Sequence, residues 1–191
     1  MTQLWRQALF VLALALPVLS NPEKLQDVDS QFSYEVIELK KSIFGEFSML
    51  AQERDDYATT ITRLALESAH AAPENAGNMG GVRRLIALAL NLSPRNRTAV
   101  VANHQLGKGV LPEKKEADYS RTVFARLLLT RGQLLKKQKT GSNYLVGRFF
   151  VELAAELDPR NEDAIYDAEL QKLDGETVDW ASLGKSATEE G

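Results

Sequence analysis

The sequence predicts an all-α protein of stacked helical hairpins, and three observations lead there. The first is self-similarity. The apolar run Leu85-Ile86-Ala87-Leu88-Ala89-Leu90-Asn91-Leu92 stops at Ser93-Pro94-Arg95-Asn96, and an amphipathic run follows at once with Thr98-Ala99-Val100-Val101. Further on, Phe149-Phe150-Val151-Glu152-Leu153-Ala154-Ala155-Glu156-Leu157 stops at Asp158-Pro159-Arg160-Asn161 and leads into Asp163-Ala164-Ile165-Tyr166. Units that recur in this way bury their apolar faces against one another. The second observation is apolar spacing of three and four residues along most of the chain, the helical period. The third is the weakness of strand signals: no long alternating Val/Ile/Thr run and no Asn-Gly turn.

Taken in order, the elements begin with a targeting pattern. Arg6 supplies a positive charge, Ala8 to Leu19 is apolar, Pro17 breaks the run, and Val18-Leu19-Ser20 suits signal-peptidase cleavage. That run is shorter than the ~20 residues needed to span a bilayer. Residues 1–20 are therefore expected to be a signal peptide, with an uncleaved membrane anchor or a buried first helix as the alternatives. The expected location is periplasmic or secreted, or membrane-anchored if the segment stays. Residues 21–175 are expected to form the helical domain and 176–191 a C-terminal tail.

From Asp29 to Leu66 no proline intervenes, and Phe32, Val36, Leu39, Ile43, Phe47 and Leu50 keep helical spacing, continued by Tyr57, Ile61 and Leu64. This reads as a hairpin turning near Gln52-Glu53-Arg54-Asp55-Asp56, as one long helix, or as a coiled-coil stripe. Pro73 to Gly81 reads as loop. Proline disfavours α geometry in the residue before it, so Ser93 and Asp158 should end their helices, and Asn96 and Asn161 suit the N-caps of the next. Leu88, Ala89, Leu92, Leu153, Ala154 and Leu157 should lie in the interhelical core. Lys108 to Lys115 reads as loop. Tyr119, Val123, Leu127 and Leu134 mark a helix from about Ala117 to Lys137, whose terminal lysines complement its dipole. Gly141-Ser142-Asn143 separates it from the next, and Asp174-Gly175 should stop the last. Trp180 is expected to lid the final hairpin or to meet Tyr166.

The segment Ala89-Leu90-Asn91-Leu92-Ser93-Pro94 resembles the end of the second helix of tetratricopeptide repeats, Ala-Leu-x-Leu-x-Pro. Ala154-Ala155-Glu156-Leu157-Asp158-Pro159 matches with Ala for the first Leu, and Asp56-Tyr57-Ala58-Thr59-Thr60-Ile61 is similar to the family's Asp-Tyr-x-x-Ala-Ile. The chain departs from the family where its Trp, Leu-Gly and Tyr positions fall on Val100, Asn103-His104 and Gly107. The two prolines also stand 65 residues apart, close to but not twice the period of about 34. The resemblance implies an irregular α-solenoid whose first helices line a partner-binding groove. By register, the groove positions are Thr98, Val101 and Gln105 in one hairpin and Asp163, Tyr166 and Leu170 in the other. The Lys and Asn with which one subclass clamps a peptide carboxylate are missing there.

Composition bounds the function. The 191 residues are 44% hydrophobic and 26% charged, ordinary for a folded domain, and the net charge of −3 offers no basic footprint for nucleic acid. With no cysteine, disulfides, Cys-ligated zinc and a catalytic thiol are excluded. His70 and His104 have no second His at ligand spacing, so no metal is expected. Glu152, Glu156, Asp163 and Asp167 read as a solvated face rather than an acid–base set. No phosphate loop or nucleophile elbow occurs, and no cofactor is expected. Asn91-Leu92-Ser93 and Asn96-Arg97-Thr98 match the glycosylation sequon. The expected function is a non-catalytic scaffold that binds an unidentified protein or peptide. The alternative is a membrane-anchored assembly subunit that oligomerises through its N-terminal amphipathic helices.

Overall fold

The computed structural model describes residues 32–139 and 141–184; the signal-like segment 1–20 and the end of the tail lie outside the described residues. The described chain is all-helical, as the sequence predicts. Its helices are α1 (Ala51–Ala71), α2 (Ala76–Leu92), α3 (Arg97–Gly107), α4 (Arg121–Lys136), α5 (Gly141–Leu157) and α6 (Glu162–Leu173), followed by a short 3-10 helix, Trp180–Gly184. Helices α1 and α2 pair as one hairpin and α4 and α5 as another. Helix α3 packs on α1 and α2, and α6 on α5.

The helix boundaries follow the Pro-Arg-Asn turns. Helix α2 ends at Leu92 and α5 at Leu157, each two residues before proline. The Asn96 side chain accepts from Ala99 N at 3.0 Å, and that of Asn161 accepts from Ala164 N at 3.2 Å. Asn96 does more than cap. Its amide donates to Asp55 and to Thr59 Oγ1, which stitches the first turn to α1. Leu88, Ala89, Leu92, Leu153 and Ala154 are buried, and Leu157 is partly buried against the same core.

Three sequence expectations fail, each for a physical reason. Residues 32–50 are not helical: an extended strap runs over the helices, and α1 starts only at Ala51. Gly45 has φ +60, which a helix does not accept, and the strap's own peptide groups are bonded to side chains of α2, α3 and α5. Its buried residues are Phe32, Ile37, Phe44 and Met49, not a helical stripe. The polar run at 52–56 is the first part of α1 rather than a turn, with Asp55 accepting from Ser93 Oγ. The second failure is the Pro73 to Gly81 loop, since α2 begins at Ala76. There the Asn75 side chain accepts from Asn78 N, the Asn78 amide donates to Ser68 O and Ala72 O, and Met79 is buried. The third concerns α4. Of the residues that mark it, Tyr119 lies before the helix and Val123, Leu127 and Leu134 lie on its exposed side, while Phe124, Leu128 and Leu135 face the core. The helix itself starts at Arg121, capped by Ser120.

Helices α4 and α5 touch backbone to backbone. A Cβ placed on Gly132 would lie 2.9 Å from Gly147 O, and one on Gly147 2.7 Å from Gly132 O. The two halves of the fold are joined by aromatic packing. The Tyr57 ring of α1 stacks on Phe150 of α5 at 5.3 Å and sits 5.5 Å from Phe124 of α4. Two ion pairs flank this junction, Arg131–Glu53 at 2.8 Å and Arg84–Glu156 at 2.5 Å. Burial at the junction, helped by Glu53 and opposed by Arg131, pushes the Tyr57 phenol up to about 12 from 10.0. The unfolded chain therefore ionises this group first. Its contribution to stability is complete below pH 10 and is lost as pH rises from 10 towards 12. Urea unfolding at a series of pH values should show a steeper alkaline loss in wild type than in Tyr57→Phe; equal slopes would contradict the assignment.

Candidate functional site

The groove positions fall into two separate places. Thr98, Val101 and Gln105 of α3 line a depression of about 420 Å³, together with Arg63 and Leu66 of α1 and with Pro112 and Glu113 of the segment that follows α3. That connecting segment, residues 108–120, is fastened over α1. His70 Nε2 lies 2.7 Å from Pro112 O, so this nitrogen carries the hydrogen, and Arg63 pairs with Asp118 at 2.5 Å. Asp163 and Tyr166 line a different, open depression with Pro159, Arg160, Glu162 and Glu169. The two depressions share no lining residue. Tyr166 is 65% exposed and does not meet Trp180. Leu170 is exposed on the same helix but lines neither depression.

The carboxylates weighed as acid–base candidates have structural partners. The two oxygens of Glu152 accept from Val178 N at 2.9 Å and from Trp180 Nε1 at 3.0 Å, tying the tail to α5. Glu156 pairs with Arg84, and Asp167 accepts from Gln133. Among the described residues no group of three or more His, Asp or Glu side chains is placed to hold a metal ion. Trp180 packs edge-on against Phe149 at 5.0 Å with the Arg84 guanidinium over its ring, so it lids the α2 and α5 side rather than α6. Both sequons are closed off. Asn91 and Asn96 are buried, and their amide nitrogens are occupied by hydrogen bonds.

The site that sequence reasoning missed is a cleft across α3, α2 and α5, filled by the strap. Three asparagines read the strap's main chain. Asn103 forms a two-bond pair with one peptide unit: its Oδ1 accepts from Ile37 N and its Nδ2 donates to Ile37 O, both at 3.0 Å. Asn103 also accepts from the Tyr34 hydroxyl. Asn91 Oδ1 accepts from Ile43 N at 3.0 Å, and Asn143 Oδ1 accepts from Ser48 N at 2.6 Å. Arg83 Nε donates to Glu35 O, and Arg131 Nη2 to Ser48 O. Apolar contacts fill the intervals, with Phe44 edge-on to Phe149 at 5.5 Å. Desolvation at this site raises the Tyr34 phenol well above its ordinary value, against the lowering effect of Arg83. One sequence signal pointed here: Asn91 and Asn103 sit at positions that helical packing buries, where an amide must find partners. Their partners lay in a segment that read as helix, so the cleft was not visible.

Compared with known proteins, the chain matches no family model, and no curated protein or solved structure is significantly similar to it.

Proposed function

We propose that the chain is a non-catalytic, tetratricopeptide-like scaffold that binds a protein or peptide on the faces of α3 and α6. The observation that carries this reading is the placement of apolar side chains. Val101, Ile165 and Leu170 are exposed on these two helices, and Tyr166 is two-thirds exposed. Tyr166 is the anchor we assign, because an aromatic with a polar tip supplies contact area with few rotatable bonds. Glu162 and Asp163 line its depression with one cation, Arg160, which favours a partner segment that carries a basic residue beside its apolar one. The same reading makes the chain exported, on the strength of Arg6 and the apolar run from Ala8 to Leu19. Among the described residues no helix is long and apolar enough to cross a membrane.

The test replaces Tyr166 or Gln105 with a photo-cross-linking amino acid in the native host. One protein species should be captured from both positions, and its recovery should fall in Tyr166→Ala combined with Gln105→Ala. Unchanged recovery with unchanged folding rejects the assigned face, whereas unfolding would place these residues in the core. The intact mass of the recovered chain shows whether residues 1–20 have been removed.

A further inference from the structure

We infer that the cleft across α3, α2 and α5 is a peptide-binding site, and that it takes residues 32–50 of a second copy of this chain in exchange for its own. The inference does not depend on the α3 and α6 face and uses a different surface. Its basis is the way the strap is held. The side chains of Asn91, Asn103 and Asn143 bond main-chain groups of the strap at positions 43, 37 and 48, and Tyr34 and Ser48 add side-chain bonds to two of them, so the recognition is mostly of backbone. Register comes from four buried anchors, Phe32, Ile37, Phe44 and Met49. The helices supply the receptor and the strap supplies a ligand of matching spacing.

Among the described residues, the strap is continuous in the chain with the helices that hold it only at its C-terminal end. It enters α1 through Leu50, which is 77% exposed, and no side chain caps that helix start. Every contact that fixes the strap lies before this residue, so it can leave as a unit without unwinding α1. About half of its residues are exposed and none belongs to a helix, which places its opening below global unfolding in free energy. An opened cleft exposes apolar pockets and unpaired amides. The sequence seen to satisfy both is the strap itself, and the contacts it makes are identical whether it comes from the same chain or from another, which is the condition for exchange. Exchange is then governed by chain concentration and by the opening step.

Gly107 gives a direct test. A Cβ at this position would lie 3.5 Å from Val36 Cβ and 2.1 Å from its Cγ2, so the strap passes here because glycine leaves room. The Cβ separation suits a disulfide, and the chain has no cysteine of its own to interfere. Full-length Val36→Cys chains are mixed with full-length Gly107→Cys chains, concentrated, and then oxidised with diamide. The expected result is a species of twice the chain mass whose disulfide, mapped by peptide mass spectrometry, joins positions 36 and 107. The control mixes Val36→Cys with Glu162→Cys, on the exposed side of α6, and should give no such enrichment. A 36–107 yield no higher than the control overturns the inference. A second measurement covers the case in which Gly107→Cys does not fold alone. In the Val36→Cys/Gly107→Cys double variant the oxidised strap is locked in its own cleft. Light scattering should then show a concentration-dependent dimer in wild type that is lost in the locked chain. A dimer that persists when the strap is locked, or wild type that stays monomeric at high concentration, overturns it equally.

Discussion

Replacing Gly147 with alanine should lower the unfolding free energy by about 2 kcal/mol, although alanine is the better helix former by about 1 kcal/mol. The reason is the contact between α4 and α5. The added methyl would meet Gly132 O at 2.7 Å, Lys136 Cγ at 2.9 Å and Lys136 N at 3.1 Å. Two of these are backbone atoms, so the helices themselves must move apart. Separation would loosen Phe149 and Phe150, both fully buried, and with them the packing that joins the two halves. Gly81→Ala is the matched control. It lies in α2 with nothing within 4 Å of its Cβ position and should gain about 0.5–1 kcal/mol. Urea denaturation of both variants checks the pair. A Gly147→Ala chain as stable as wild type would mean that the interhelical contact is not as close as described.

Asn91→Leu should cost about 3 kcal/mol, even though it keeps the branching of the side chain and replaces a polar group with an apolar one. Asn91 is buried at the end of α2 and bonds both the strap and the segment that follows α6. Its oxygen accepts from Ile43 N in the strap, and its nitrogen donates to Leu183 O in the tail and to Ala87 O of its own helix. The Ala87 carbonyl keeps its helical partner in the variant, because the backbone N–H four residues on still bonds it. The Ile43 amide and the Leu183 carbonyl would lose their partner, and each orphaned group costs about 1–3 kcal/mol. The effect should appear first as local opening. Amide exchange at Ile43 should quicken by a larger factor than exchange in α1, and a uniform increase along the chain would argue that the strap is not a separate unit.

Much of the helical architecture was legible because its causes are local. Pro94 and Pro159 stop their helices through clashes with the preceding residue, and Asn96 and Asn161 cap the next ones through bonds three residues on. The apolar runs of α2 and α5 are nearly continuous, so their burial did not depend on knowing what covers them. What covers them was not legible. Phe32, Val36, Leu39, Ile43, Phe47 and Leu50 carry a helical spacing that the strap does not use, because the peptide groups there find better partners in asparagine side chains 48 to 95 residues away in sequence. Periodicity counts apolar positions; it does not see a distant amide that competes for the backbone. The α4 stripe marked a helix, but not the face that helix buries. Val123, Leu127 and Leu134 are as apolar as Phe124, Leu128 and Leu135, and the buried set was decided by Gly132 and Gly147, which let the helices meet on that side.

The sequence by itself therefore determined the helical class, the two Pro-Arg-Asn turns and the apolar helices α2 and α5, since propensity, capping and proline sterics act within a few residues. Only the tertiary structure decided that residues 32–50 lie extended in a cleft, that Glu152 binds the tail, that Asn91 and Asn96 are closed to modification, and that the α3 and α6 positions line separate depressions. These outcomes depend on hydrogen-bond partners and backbone approaches between segments far apart in the chain, and such partners exist only once the helices have packed.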